Sequence, residues 1–464
     1  MFHNRNSELR TLEEEYSSDG FSFVVLYGRR RVGKTELIKK FCEDKPHIYH
    51  LVSQDSEKLQ REKLIEDIVD YFNERVPRTE SWSDAIDYVG EKLSEEKIVL
   101  AIDELPYLIG SDSSVLSSLQ SVIDENSEDM DSMLILCGSS ISVMESDVMG
   151  HKSPLYGRRT AQIDLKPFSF SDSLSIIDYS MVDAVRSYST TGGTPMYLQL
   201  FDYENSLSQN LLENHLSKNS VLYNEPEFLL RTELRNPSRY MSILEAIANG
   251  HTTPNEISGQ TDIGSGPLSN YLQKLRRIRL IERVVPVTAD KKKSKRSIYK
   301  IKDSFLRFWF RFIEPNRSGI EESPELVLEN NIQPRLDRFV SKTYEEVCTE
   351  ALWKMNRQGM LRDSYSKMGK WWYKEYEIDI VGLNPESKST VFCECKWTES
   401  KVDTDLMRDL ENKSDEVRWH NNERHEEYVL FSKSGFTRDL LDEAGETWTL
   451  VDIEKLDQIF SASS

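Results

Sequence analysis

The sequence predicts an α/β fold, and three observations carry the prediction. Short apolar runs alternate with amphipathic stretches from 21 to about 165. A glycine-rich loop at 28–35 lies between one such run and a stretch with helical spacing. After a helical interval, a mixed pattern returns from about 325 to the end. Alternation of this kind builds a parallel sheet covered by helices on both faces.

Strands are expected at 23–27, 47–52, 97–102, 133–137 and 161–165. The first, Phe23-Val24-Val25-Leu26-Tyr27, is apolar throughout, as a strand buried on both faces must be. The loop that follows reads Gly28-Arg29-Arg30-Arg31-Val32-Gly33-Lys34-Thr35 and fits G-x-x-x-x-G-K-[ST], with Glu36 opening the next helix. Its glycines let backbone N–H groups curl around a triphosphate, and the helix N-terminus adds a positive dipole end. Lys34 is placed to reach the β- and γ-phosphates, and Thr35 to hold Mg²⁺. The run 98–102 ends in Asp103-Glu104, at the strand edge where sheets of this class bind ligands. Asp103 is the expected Mg²⁺-side carboxylate and Glu104 the expected base for the attacking water. The run 133–137 ends in Gly138-Ser139-Ser140. Ser139 there serves either as a γ-phosphate sensor or as a helix cap.

From about 166 to 232 the pattern is helical, with a loop signal at Thr191-Gly192-Gly193-Thr194-Pro195. Taken in order, Asn4-Arg5 with Glu8-Leu9, the 28–35 loop, Asp103-Glu104, Gly138-Ser139-Ser140, Leu155-Tyr156-Gly157-Arg158 and Gly193-Thr194-Pro195 resemble the archaeal ATPase family. That family belongs to the AAA+/STAND P-loop ATPases, and the resemblance covers roughly residues 1–235. It implies ATP and Mg²⁺ as cofactors and a sensor role for Ser139. It also implies an arginine-finger or phosphate-sensing role for Arg158 and a base-contacting role for Pro195. Arg159 adjoins Arg158, and the choice between them stays open.

From about 236 to 302 the spacing predicts three helices and a basic hairpin. Thr253 and Glu256 form a capping box with Pro254 at the first helical position. A following helix places Leu268, Leu272, Leu275 and Ile278 on one face, with Lys274, Arg276, Arg277 and Arg279 elsewhere on its surface. Strands at 280–285 and 297–301 flank a tip containing Lys291, Lys292, Lys293, Lys295 and Arg296. This arrangement resembles a winged helix-turn-helix, whose helix enters the major groove while the wing meets phosphates. A protein-docking platform is the competing reading.

Pro315, Pro324 and the acidic 321–325 stretch suggest a linker. Beyond it, Tyr376-Glu377-Ile378-Asp379 and Val391-Phe392-Cys393-Glu394-Cys395-Lys396-Trp397 read as adjacent strands. Alternation places Glu394 and Lys396 on one face and Cys393, Cys395 and Trp397 on the other. Asp379 and Glu394 could then hold Mg²⁺ or Mn²⁺ while Lys396 orients water. The pattern resembles a PD-(D/E)XK nuclease core, with isoleucine where the signature has proline. The resemblance assigns a metal-facing glutamate to the helix at 337–350, where Glu345 matches better than Glu346. Trp371-Trp372 and the following strand also resemble the uncharacterised C-terminal domain often attached to archaeal ATPases. An inactive, binding-only domain is the alternative.

The full expectation is a P-loop AAA+-type core at 1–165, a helical lid at 166–235, a winged helix-turn-helix at 236–315 and a restriction-endonuclease-like domain at 325–464. At 464 residues the chain has room for about three domains of roughly 150 residues. Its 79 acidic residues against 59 basic ones exclude a uniform nucleic-acid coat, so binding must come from local basic patches. Five scattered cysteines suit a reducing interior and offer no paired zinc spacing. Expected partners are nucleic acid, DNA first, and a second copy of the chain, in a cytoplasmic setting with no membrane.

Overall fold

The computed structural model describes residues 2–127, 130–234, 236–421 and 423–462. The chain divides into two compact units, Met1–Pro167 and Phe168–Ser464.

The first unit holds one five-stranded sheet: β1 (Ser22–Tyr27), β2 (His47–Leu51), β3 (Val99–Asp103), β4 (Met133–Gly138) and β5 (Ala161–Asp164). The order is β2-β3-β4-β1-β5, and every pairing is parallel. All five expected strands form, within two residues of their expected ends. The two-residue period of β1 divides its side chains between two apolar layers. Phe23, Val25 and Tyr27 join Trp82, Ile86 and Leu105 on one side of the sheet. Val24 and Leu26 join Leu12, Leu37 and Phe41 on the other. Both faces are therefore closed, which is why β1, β3 and β4 are apolar without alternation.

The second unit begins with short helices and continues through three helices, Ser238–Ala248, Pro254–Thr261 and Ser265–Arg277. Thr253 and Glu256 form the expected reciprocal capping box. An antiparallel hairpin follows, β6 (Ile281–Val284) with β7 (Ile298–Ile301). A 25-residue helix, Gln333–Arg357, leads into the second sheet. That sheet comprises β8 (Lys367–Tyr373), β9 (Tyr376–Asn384), β10 (Ser389–Lys396), β11 (His425–Ser432) and β12 (Trp448–Val451). Its order is β12-β11-β10-β9-β8. β8, β9 and β10 pair antiparallel, whereas β10, β11 and β12 pair parallel.

The expected linker at 315–325 is helical. Helices Arg317–Glu322 and Pro324–Val327 bury Ile320 and Val327 in an apolar cluster that runs from Phe168 to Phe460. Pro324 sits at a helix start, where its missing N–H removes no hydrogen bond, so it opens structure here instead of ending it.

Candidate functional site

Three strand ends build the first site. β1 delivers the 28–35 loop, β3 delivers Asp103 and Glu104, and β4 delivers Ser139. Gly28 cannot carry a side chain, because a Cβ there would stand 2.2 Å from the Leu165 carbonyl oxygen. Gly33 turns the loop into helix Lys34–Cys42 at φ 94°, a conformation glycine adopts without strain. Arg5 braces the loop from outside, donating to the Val32 carbonyl at 3.0 Å and the Lys166 carbonyl at 2.7 Å.

Lys34 is buried, and its ammonium donates to the carbonyls of Gly28 at 3.1 Å and Arg29 at 3.0 Å. The charge thus lies inside the loop's own curve. Thr35 Oγ1 donates to Asp103 Oδ2 at 2.7 Å, and the Tyr49 hydroxyl donates to the same oxygen at 2.8 Å. Burial, and then the Asp103 charge, pushes the Tyr49 phenol well above its usual pKa, so it remains a donor. Asp103 Oδ1 accepts the Glu104 backbone N–H at 2.9 Å. Glu104 stands at φ 61°, a strained position for a side-chain-bearing residue, and accepts from Ser139 Oγ at 2.7 Å. Within the loop, Arg29, Arg30 and Arg31 are half-buried, Val32 is buried, and Glu36 is exposed at the helix start.

Arg158 lies at the end of a short turn, its guanidinium paired in bidentate fashion with Asp124 at 2.6 and 2.7 Å. That partner holds Arg158 above its usual pKa. Pro195 opens the short helix Pro195–Gln199 in the second unit.

The second candidate site lies where β9 and β10 meet the long helix. Glu394 is buried, and its two carboxylate oxygens accept from Lys396 at 2.7 Å and Lys413 at 3.1 Å. Asp379 accepts the Cys395 backbone N–H at 2.9 Å. Burial pushes the Asp379 carboxyl up to about 8, helped by the nearby Cys395, Glu394 and Glu345. Glu345 accepts from Lys370 at 3.1 Å, and the same ammonium lies 3.9 Å from Asp379. Glu346 points elsewhere, held by Arg307 at 2.6 and 2.7 Å. Among the described residues no three metal-ligating side chains converge at coordination distance. Asp379 and Glu394 thus offer oxygen donors, with Glu394 already committed to two lysines.

Sequence reasoning missed Tyr49, Lys370 and Lys413. Lys413 had a signal. It occupies the inner face of helix Thr404–Asp415, between the buried Leu410 and Ser414. A lysine at an inward position demands an anionic partner.

On the basic unit, Leu268, Leu272, Leu275 and Ile278 are buried as a stripe. Arg276 and Arg277 are exposed, and Lys274 and Arg279 half-buried. Lys274, Arg276 and Arg277 occupy the last helical turn, where they also complement the helix dipole. Lys291, Lys292, Lys293, Lys295 and Arg296 are exposed at the hairpin tip. The hairpin's flank is docked: the Val287 N–H donates to the Lys370 carbonyl at 2.9 Å, and Val287 packs with Trp371.

A family model described as an ATPase domain predominantly from Archaea matches residues 2–201. A second model, of archaeal and bacterial proteins of unknown function, matches 309–409. An uncharacterised protein of Methanocaldococcus jannaschii is 34% identical over 446 residues, 93% of this chain and 96% of its own length. An uncharacterised ATP-binding protein of the same organism is 56% identical over 45 residues, 10% of this chain and 76% of that one. Among solved structures, the Walker-type ATPase of Pyrococcus abyssi matches at TM-score 0.47 and 22% identity, over 67% of this chain and 96% of that one. The Orc1 protein of Aeropyrum pernix in complex with DNA matches at TM-score 0.35 and 14% identity, over 70% of this chain and 94% of that one.

Proposed function

The chain belongs to the archaeal ATPase family, and from that premise we propose that it couples ATP hydrolysis in its first unit to nucleic-acid binding and cleavage in its second. It is a P-loop ATPase, and nucleotide binding follows from the family. Thr35 and Asp103 form a pair of hard oxygen donors that suits Mg²⁺, which supplies charge neutralisation to the phosphates when bound with ATP. In this reading Lys34 exchanges the Gly28 and Arg29 carbonyls for phosphate oxygens. Glu104 takes the proton of the attacking water while Ser139 orients its carboxylate. Arg158 reports on the γ-phosphate, exchanging Asp124 for phosphate. The protein works in the cytoplasm as a single chain or a homo-oligomer; no helix among the described residues is long and apolar enough to cross a membrane.

The observation that supports cleavage is the gathering of Glu345, Asp379, Glu394 and Lys396 around adjacent strands and one helix. Asp379 and Glu394 would hold Mg²⁺ or Mn²⁺. The basic helix, with Lys274 and Arg276, and the hairpin tip would hold DNA phosphates. The test is an assay of plasmid and oligonucleotide cleavage with Mg²⁺ or Mn²⁺, with and without ATP. Nicking that vanishes in Asp379→Ala and Lys396→Ala supports the reading. Absence of nicking under every metal overturns the cleavage half.

One observation favours a second reading, a STAND-like nucleotide switch with an inactive, binding-only C-terminal domain. Both oxygens of Glu394 are already neutralised by lysines, so a metal must compete for them. That reading predicts slow turnover and nucleotide retained through purification.

A further inference from the structure

A cleft of about 730 Å³ opens within the second unit. Its walls are β7, the long helix, the turn between β8 and β9, and the segment carrying Arg307 and Arg311. It is distinct from the basic helix and from the hairpin tip. Eight basic side chains line it against three acidic ones, in a chain whose net charge is −20. The excess is therefore concentrated and not a sample of the surface.

Six of the cations, Lys300, Arg311, Arg335, Arg338, Lys342 and Lys374, line the cleft without an ion pair to any described residue. Lys342 is driven below its usual pKa by the packing around it, and then by the neighbouring charges of Lys300 and Arg307. A site that assembles like charges at an electrostatic cost is arranged for an anion.

The cations are also in line. Arg335, Arg338, Lys342 and Glu345 recur at intervals of three and four along helix Gln333–Arg357, which places them on one face. Ten residues of helix span about 15 Å, the length of roughly four stacked nucleotides at about 3.4 Å each. The row ends at Glu345, whose carboxylate meets Lys370 at 3.1 Å, with Asp379 3.9 Å beyond that ammonium. Trp372, Tyr299 and Tyr376 add half-buried aromatic faces to the walls. Aromatic faces between cations suit a strand whose bases are unstacked from a partner.

We propose that this cleft binds a single strand of nucleic acid through its phosphodiester backbone and leads it along the long helix to Glu345, Lys370 and Asp379. The inference rests on the nucleic-acid reading of the second unit and adds where the strand lies and that it is single.

The test is fluorescence anisotropy of the full chain with a labelled single-stranded DNA and its duplex across a salt series. The expected results for the single strand are a salt slope reduced by about 1.4 in R338Q/K342Q and about tenfold or more weaker binding in Trp372→Ala, with the duplex, held by the basic helix and hairpin tip, bound as in the wild type. ATP turnover by the first unit and the thermal melt verify that each variant is folded. If the wild type binds nucleic acid but R338Q/K342Q keeps its slope, the cleft is wrong and the nucleic-acid reading stands. Duplex binding that R338Q/K342Q weakens as much as single-strand binding likewise overturns the cleft alone. If the wild type binds no nucleic acid at low salt, both fall.

Discussion

Replacing Glu104 by Gln isolates the hydrolytic step. Two carboxylates stand at the end of β3, and their hydrogen bonds assign their roles. Asp103 has one oxygen shared by Thr35 and Tyr49 and the other bonded to the Glu104 N–H. Both of its oxygens are thus already engaged, Oδ2 by two donors and Oδ1 by one. Glu104 accepts from Ser139 through Oε2 alone, and its Oε1 has no hydrogen-bond partner among the described residues. It is the carboxylate free to take a proton. Glutamine keeps the size, the Ser139 contact and the backbone position at φ 61°, and it removes only the basicity. A positioned base contributes about 10²–10⁴-fold, so kcat should fall by that factor, about 3–5 kcal/mol of barrier. ATP affinity should stay within about threefold, since no phosphate contact is lost. The assay is single-turnover ATP hydrolysis together with equilibrium binding of a fluorescent ATP analogue. A variant with kcat within about threefold of wild type would refute the assignment of Glu104. A variant that no longer binds ATP would refute the division of roles between the two carboxylates.

Lys34→Ala should abolish ATP binding, because it removes the one buried ammonium inside the loop; retained turnover in a phosphate-release assay would contradict this. Gly28→Ala forces a Cβ to 2.2 Å from the Leu165 carbonyl, so nucleotide binding and the melting temperature should fall together. His215 should make stability pH-dependent. Burial lowers its pKa from 6.5 to about 4, so the unfolded chain binds the proton more readily. Stability is then complete above about 6.5 and drains away as pH falls toward 4, by about 3 kcal/mol in all. His215→Phe should flatten that slope between pH 7 and 4.5 in urea melts, and an unchanged slope would assign it to other groups.

What the sequence discloses depends on how local the cause is. The strands of the first sheet are legible because each is apolar on both faces, and no tertiary detail is needed to read that. The pairing of Thr35 with Asp103 is legible because the loop and the strand end must meet at one sheet edge. Tyr49 is not legible, because it reaches Asp103 only through the register in which Leu51 lies beside Asp103. The 315–325 segment misleads because Pro324 is ambiguous by itself. Only the burial of Ile320 and Val327 in a distant cluster decides for helix. The Asp124 partner of Arg158 lies 34 residues away and leaves no trace in the motif.

The C-terminal cluster shows the same limit and its chemical consequence. A motif reading supplies Glu345, Asp379, Glu394 and Lys396, which leaves three carboxylates facing one lysine. The folded chain adds Lys413, shared by Glu394 and Asp409, and Lys370, shared by Glu345 and Glu377, so these carboxylates meet three ammonium groups. A buried carboxylate left with half its partners would be strongly destabilising, so these lysines are what make the cluster compatible with folding. The same lysines set the terms of any reaction there. A phosphate entering along the cationic row of the long helix would draw Lys370 away from Glu345 and Asp379. Asp379, already pushed up to about 8, would then hold its proton more tightly unless a divalent cation took the ammonium's place. Substrate and metal are thus coupled through Lys370, and each should strengthen the binding of the other. Lys370→Met breaks that link, so Mn²⁺ affinity, measured by calorimetry, should lose its dependence on added oligonucleotide. If the coupling persists in Lys370→Met, the lysine is a structural counter-ion and nothing more.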